Sequence, residues 1–125
     1  MKRIVSTDAA PEAVGAYSQA TTTDDLVFTA GQIPLTPDGE LLDGEPIADQ
    51  TEQALENVAA ILAESGASMD DVLKVTVYLD DIDDFEAMNE TYRTFFETEP
   101  PARSAVGVDE LPKGVGVEIE AIATK

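Results

Sequence analysis

The sequence predicts an α+β fold, one mixed sheet carrying two helices on one face, in the order β-β-β-α-β-α-β-β. Two observations carry that prediction. Apolar residues recur every three or four positions through Asp49–Ser65 and again through Asp83–Glu97, the spacing of helices with one buried face. They alternate with polar residues at Val72–Leu79 and run nearly unbroken through Val115–Ala123, patterns that suit strands. Both helical patterns are long and amphipathic, so packing them on one side of a single sheet is the economical layering.

Taken in order, Lys2–Val5 reads as a short edge strand, and a Pro/Ala/Gly-rich link over 9–15 leads to Tyr17 in a short segment of extended character. Leu26–Ala30 is a β-rich run that stops at Gly31; Pro34 blocks its continuation and Pro37-Asp38-Gly39 marks a turn. In the first helix Leu55, Val58, Ile61 and Leu62 form the apolar stripe, widened by Ala54 and Ala59. Asp49 followed by Glu52 reads as a capping box, and Gly66 as the stop. Ser68 is placed to cap a short turn before Val72–Leu79. In that strand Leu73, Val75, Val77 and Leu79 share one face, and Lys74, Thr76 and Tyr78 the other. The second helix carries a core stripe of Phe85, Met88, Tyr92, Phe95 and Phe96, with Asp83, Asp84 and Glu86 at the positive end of its dipole. Pro100 and Pro101 end it. A strand at Ser104–Val108, a turn at Pro112-Lys113-Gly114 and a strand at Val115–Ala123 complete the chain. The second face of that last strand, with Gly116, Glu118, Glu120 and Ile122, is neither cleanly polar nor cleanly apolar. Such a face suits a subunit interface lining a cleft, so a homo-oligomer is expected.

Composition narrows the chemistry. At 125 residues the chain fits one domain, 1–125, since domains most often run to about 100–150 residues. It has no cysteine and no histidine, which removes disulfides, thiolate chemistry, and the commonest general base and metal ligand. Any reaction must run on carboxylates, hydroxyls, backbone groups or seven basic side chains, and no metal or cofactor is expected. With 26 acids against 7 bases the formal charge is −19, which repels phosphate backbones and anionic membranes. Neither nucleic acid nor membrane is therefore an expected partner. The basic pair near the N-terminus has no long apolar segment behind it, and no apolar run approaches the roughly 20 residues of a membrane span. A cytoplasmic location is the expectation.

One constellation stands out. Arg103, one of three arginines, follows a double proline, and Glu118 lies fifteen positions later inside an otherwise apolar run. A guanidinium matches a carboxylate bidentately, so this pair suits a small carboxylate substrate. Read on their own, the two residues are better explained by an arginine ion-paired with one of many acids and by a solvated acidic strand face. Acidic pairs such as Asp80-Asp81 lack a calcium-loop pattern and read as surface charge.

GAYSQA at Gly15–Ala20, VFTAGQIPLTPDGEL at Val27–Leu41, QALENVAAILAESGASMDDVLKVTVYLDDIDDF and PPARSAVGVDELPKGVGVEIEAIA together resemble the Rid/YjgF family of enamine/imine deaminases, over essentially the whole chain. The resemblance implies a chorismate-mutase-like homotrimer with clefts between neighbouring subunits. It implies hydrolysis of 2-aminoacrylate, 2-iminobutanoate and similar 2-imino acids to 2-keto acids and ammonia, without cofactor. Carried over by position, Arg103 binds the substrate carboxylate and Glu118 places or activates water. Tyr17 and Asn89 lie near them, and the Gly31 backbone lines the site. Two departures alter the cleft wall: Ala30 where many members carry serine, and Ala105 where some carry cysteine. A binding-only regulatory trimer, a ribonuclease or translation inhibitor, and a holdase are the other roles open to such a chain.

The charge also makes a prediction about salt. Molar salt shrinks the Debye length to about 3 Å, which relieves the self-repulsion of the −19 surface. The melting temperature is expected to rise from low salt to molar KCl, read by circular dichroism. A flat or falling curve contradicts adaptation to a salty interior.

Overall fold

A computed structural model describes all 125 residues. The chain forms β1 (Arg3–Val5), β2 (Ala20–Thr22), β3 (Leu26–Thr29), α1 (Ile47–Glu64), β4 (Val72–Leu79), α2 (Phe85–Phe95), β5 (Ala102–Gly107) and β6 (Val117–Thr124). This is the expected element order. The six strands make one mixed sheet in the order β1-β2-β3-β6-β4-β5. All neighbours are antiparallel except β4 and β5, which run parallel because α2 crosses between them. No helix is long and apolar enough to cross a membrane.

The core lies between the sheet and the two helices. Leu55, Val58, Ile61 and Leu62 of α1 and Met88 of α2 meet Val75, Val77 and Leu79 of β4 and Val117 and Ile119 of β6, all buried. Strand alternation gives β6 its two faces: Val117, Ile119, Ala121 and Ala123 turn inward, while Glu118, Glu120 and Ile122 stay half-exposed on the side away from the helices. That open side also exposes the large apolar residues Phe28 and Val106.

Several boundaries differ from expectation for local reasons. The capping box at Asp49 and Glu52 is absent, because α1 begins two residues earlier, behind Pro46. The φ of −53° at Pro46 leads directly into the helix, and its carbonyl accepts from the Asp49 and Gln50 amides. Asp49 instead sits within the first turn, where its charge meets the helix dipole. Ser68 does cap its turn: its amide donates to Asp71 Oδ2 at 2.9 Å. Leu73 does not share a face with Val75. A register shift between Val72 and Lys74 turns Val72 inward and leaves Leu73 50 % exposed. The helix after β4 begins at Phe85, since Ile82–Asp84 forms a 3₁₀ turn in which Asp81 accepts from the Asp83 amide at 3.0 Å. Strand β5 starts at Ala102 rather than Ser104, so Arg103 lies within the strand instead of before it. Tyr17 lies in irregular backbone just after a bend at Gly15 and Ala16, and the strand expected around it begins only at Ala20.

Candidate functional site

The residues singled out by sequence fall into two groups on opposite sides of the sheet. Arg103 pairs with Val75, a buried core residue, so its side chain turns toward the helices. Glu118 pairs with Tyr78 and turns to the open side. Within one chain the two cannot share a substrate.

The first group is built on α2. Asn89 Oδ1 accepts a hydrogen bond from Arg103 Nη1 at 2.7 Å. The guanidinium carbon lies 4.6 Å from the Tyr92 ring centre and 5.4 Å from that of Phe85, within the range of cation–π attraction. A cavity of about 340 Å³ opens there, lined by Asn89, Tyr92, Arg93, Phe96, the double proline 100–101 and Arg103. Two of the chain's three arginines line it and none of its 26 acids does. The one ion pair in the structure is Arg3 with Asp24, at 3.1 Å; Arg103 has no carboxylate partner. The turn that feeds β5 is short enough to force Glu99 to a φ of 48°, a costly conformation for a residue with a Cβ.

The second group surrounds Glu118 in a cavity of about 660 Å³, whose walls include Tyr17, Gly31, Gln32, Ile33 and Lys113. Paired bonds between Gln32 and Ile119, at 2.8 and 3.0 Å, draw the end of the β3 segment against β6. Gly31 is thereby pressed on Glu118: a Cβ there would collide with the carboxylate, lying 2.9 Å from its Cδ. Only glycine fits that place with the carboxylate where it stands. Gln19 supports the other wall. Its Oε1 accepts from the Thr7 amide at 2.6 Å, and its Nε2 donates to the Thr7 and Pro11 carbonyls at 3.0 and 2.8 Å. That network shapes the loop carrying Tyr17, which is 54 % exposed. Buried Asn57 of α1 holds the Ile33 and Leu35 carbonyls at 3.2 and 2.8 Å, fixing the segment that follows Gly31.

Ala30 and Ala105 lie beside the two cavities rather than among their lining residues. The Ala30 amide donates to the Gln19 carbonyl at 2.8 Å. Ala105 shares the face of Arg103 and packs against the core. No cluster of His, Cys, Asp or Glu is arranged to hold a metal ion. Sequence reasoning missed Gln19, Phe85, Tyr92 and Lys113. The two aromatics were legible only as part of a core stripe, and a lone glutamine or lysine carries no signal before the loops are placed.

Burial pushes the Glu118 carboxyl above its ordinary value of 4.5, and the neighbouring charge of Glu120 adds to the effect. Burial also pushes the Tyr92 hydroxyl up to about 12, with Arg103 acting in the opposite direction.

A family model described as Endoribonuclease L-PSP matches residues 7–125. The chain is similar to a RutC family protein of Pyrococcus horikoshii, 52 % identical over all of this chain and 99 % of the relative. It is similar also to the 2-iminobutanoate/2-iminopropanoate deaminase of Rattus norvegicus, 44 % identical over all of this chain and 91 % of the relative. The crystal structure of E. coli TdcF with bound serine superposes with a TM-score of 0.93 at 43 % identity, covering 98 % of both chains.

The position of Glu118 makes a stability prediction. Because its carboxyl is raised in the folded chain, the folded state holds that proton more tightly than the unfolded one. The associated stability is present below the ordinary carboxylate range and is lost as pH rises through the raised value. Glu118→Gln, which cannot ionise, should melt higher than wild type at neutral pH, with the gap closing as pH falls toward 4.5. Thermal melts of both proteins at the two pH values check this; a lower melting temperature for the variant at neutral pH contradicts it.

Proposed function

The chain belongs to the Endoribonuclease L-PSP family, the Rid/YjgF family its sequence resembles, and on that premise we propose that it is a hydrolytic deaminase of small 2-imino acids. Its products are 2-keto acids and ammonia. The observation that carries this reading is the unpaired arginine: in a chain of charge −19, Arg103 keeps its charge free beside a cavity with no acid in its lining. Such a site selects a small anion. Relatives named 2-iminobutanoate/2-iminopropanoate deaminase and the serine bound in TdcF agree in kind, since both ligands carry a carboxylate next to a nitrogen-bearing carbon.

The two groups of residues can then work together only across a subunit boundary. We place the site between neighbouring copies of a homotrimer, with Arg103 facing Glu118 of the partner subunit. Arg103 offers a planar fork to the substrate carboxylate, which fixes the imine carbon for attack. Glu118 of the partner subunit takes a proton from water as the water oxygen adds to the C=N carbon. That proton passes to nitrogen, giving a carbinolamine. Transfer of the hydroxyl proton to nitrogen by the same carboxylate breaks the C–N bond, releases ammonia and leaves the keto group. Burial suits Glu118 to the base role, because a carboxylate whose pKa lies above its ordinary value is the stronger base and takes the water proton more readily than a solvated one. Tyr17 and the Gly31 backbone line the water side of the site. The chemistry uses only side chains and water.

The serine-bound TdcF structure also favours a second reading, a binding-only trimer for small amino or keto acids. It predicts saturable binding without turnover. The family description names an endoribonuclease, but a histidine-free chain of charge −19 is poorly suited to approach RNA phosphates.

The test is release of pyruvate or 2-oxobutanoate from an imine generated by a dehydratase, assayed with and without this protein in high salt. Wild type should accelerate release. Arg103→Ala should lose about 2–5 kcal/mol of substrate interaction, roughly 30-fold to several-thousand-fold in kcat/KM. A wild-type rate equal to the uncatalysed one contradicts the deaminase reading. Glu120→Gln should move the acid limb of the kcat/KM profile to lower pH, since the Glu120 charge helps to hold Glu118 up; an unmoved limb assigns that limb to another group.

A further inference from the structure

The groups that hold Arg103 are all neutral. Phe85, Asn89 and Tyr92 follow one another at helical spacing on α2, so they present one face to the guanidinium. Two aromatic rings flank it at 5.4 and 4.6 Å, and an amide oxygen accepts from Nη1 at 2.7 Å. The same helix carries Glu86 and Glu90, but both are exposed and neither pairs with an arginine. With 26 acids available, a half-buried arginine without a carboxylate is a specific arrangement rather than a default.

The physical consequence concerns what the guanidinium can still do. An arginine held by a carboxylate is nearly neutral to anything that approaches it. Aromatic faces attract the cation through their quadrupoles and leave its charge uncompensated. The bond to Asn89 uses one of five N–H donors, so the others remain for a ligand. Tyr92 is only 4 % exposed and packs against Phe96 with ring centres 4.8 Å apart, so the ring beneath the guanidinium is itself rigid.

We infer that Phe85, Asn89 and Tyr92 are positioning residues that fix the Arg103 guanidinium while leaving its charge available to a substrate carboxylate. The inference rests on the proposed role of Arg103 and assigns Asn89 to holding the arginine rather than touching the substrate. It also gives a reason for an amide at 89: a carboxylate of the same shape would hold the arginine more strongly and bind the ligand less.

Asn89→Asp is the decisive variant because it keeps the shape and adds a charge. It should keep or raise the melting temperature and leave kcat nearly unchanged. Its KM for the imine, and its Kd for 2-oxobutanoate measured by calorimetry, should both rise about tenfold or more. Tyr92→Leu, which removes the ring, should raise KM and Kd roughly 2- to 30-fold, and since it can weaken the core, its reading depends on Asn89→Asp for support. If folded Asn89→Asp and Tyr92→Leu bind and turn over as wild type does, the cradle is overturned while the deaminase reading stands. If wild type binds 2-oxobutanoate without turnover, the deaminase reading fails, and the calorimetric comparison alone decides the cradle. Wild type that neither binds nor turns over overturns both.

Discussion

The register of β4 against its two neighbours decides where chemistry can occur. Val75 stands opposite Arg103 on β5, and Tyr78 stands opposite Glu118 on β6. The two β4 residues differ by three positions, an odd number, so the arginine and the acid leave the sheet on opposite sides. A slip of one residue in either pairing would bring them to the same side and expose half the core. The buried row Val75, Val77 and Leu79 therefore holds the register and, through it, the separation of the two half-sites. A substrate that needs both residues must lie where two copies of the chain meet.

Electrostatics tell the same story from another direction. A surface of −19 gives every basic group abundant partners, yet only Arg3 takes one. Around Arg103 the acids are excluded by what α2 and the double proline place there. A small patch of positive potential in an acidic protein can attract a small carboxylate while the remaining surface repels polyanions. The same charge opposes assembly of like subunits, so salt acts on the proposed site as well as on the fold: screening helps the halves to meet.

Much of the fold was legible because its signals are local. The stripe Leu55–Val58–Ile61–Leu62 and the alternation in Val75–Leu79 each announce an element, and the faces of β6 announce which residues stay outside. The errors arose where position depends on partners distant in sequence. Nothing near Leu73 signals the shift that turns it outward, since that shift is a property of the pairing with β6. Arg103 appeared to precede a strand because its exposure on an edge strand hides the alternation. The candidate residues of the site could be named by type, through family resemblance, but their division between two faces could not be read from the sequence. Phe85 and Tyr92 show why. Their spacing marks a core stripe, correctly, and only the structure reveals that the same stripe carries a cation on its outer edge.

The central claim is that one site is assembled from two chains, and subunit mixing tests it most directly. Arg103→Ala and Glu118→Gln, each expected to be strongly impaired alone, are unfolded together, refolded and assayed for imine hydrolysis, with mixed oligomers verified by native mass spectrometry. If neighbouring subunits supply the two residues, random mixing should regenerate about a quarter of the wild-type sites and a matching share of the rate. Mixed oligomers that form and remain inactive, beside a wild-type control that survives the same refolding, contradict the account.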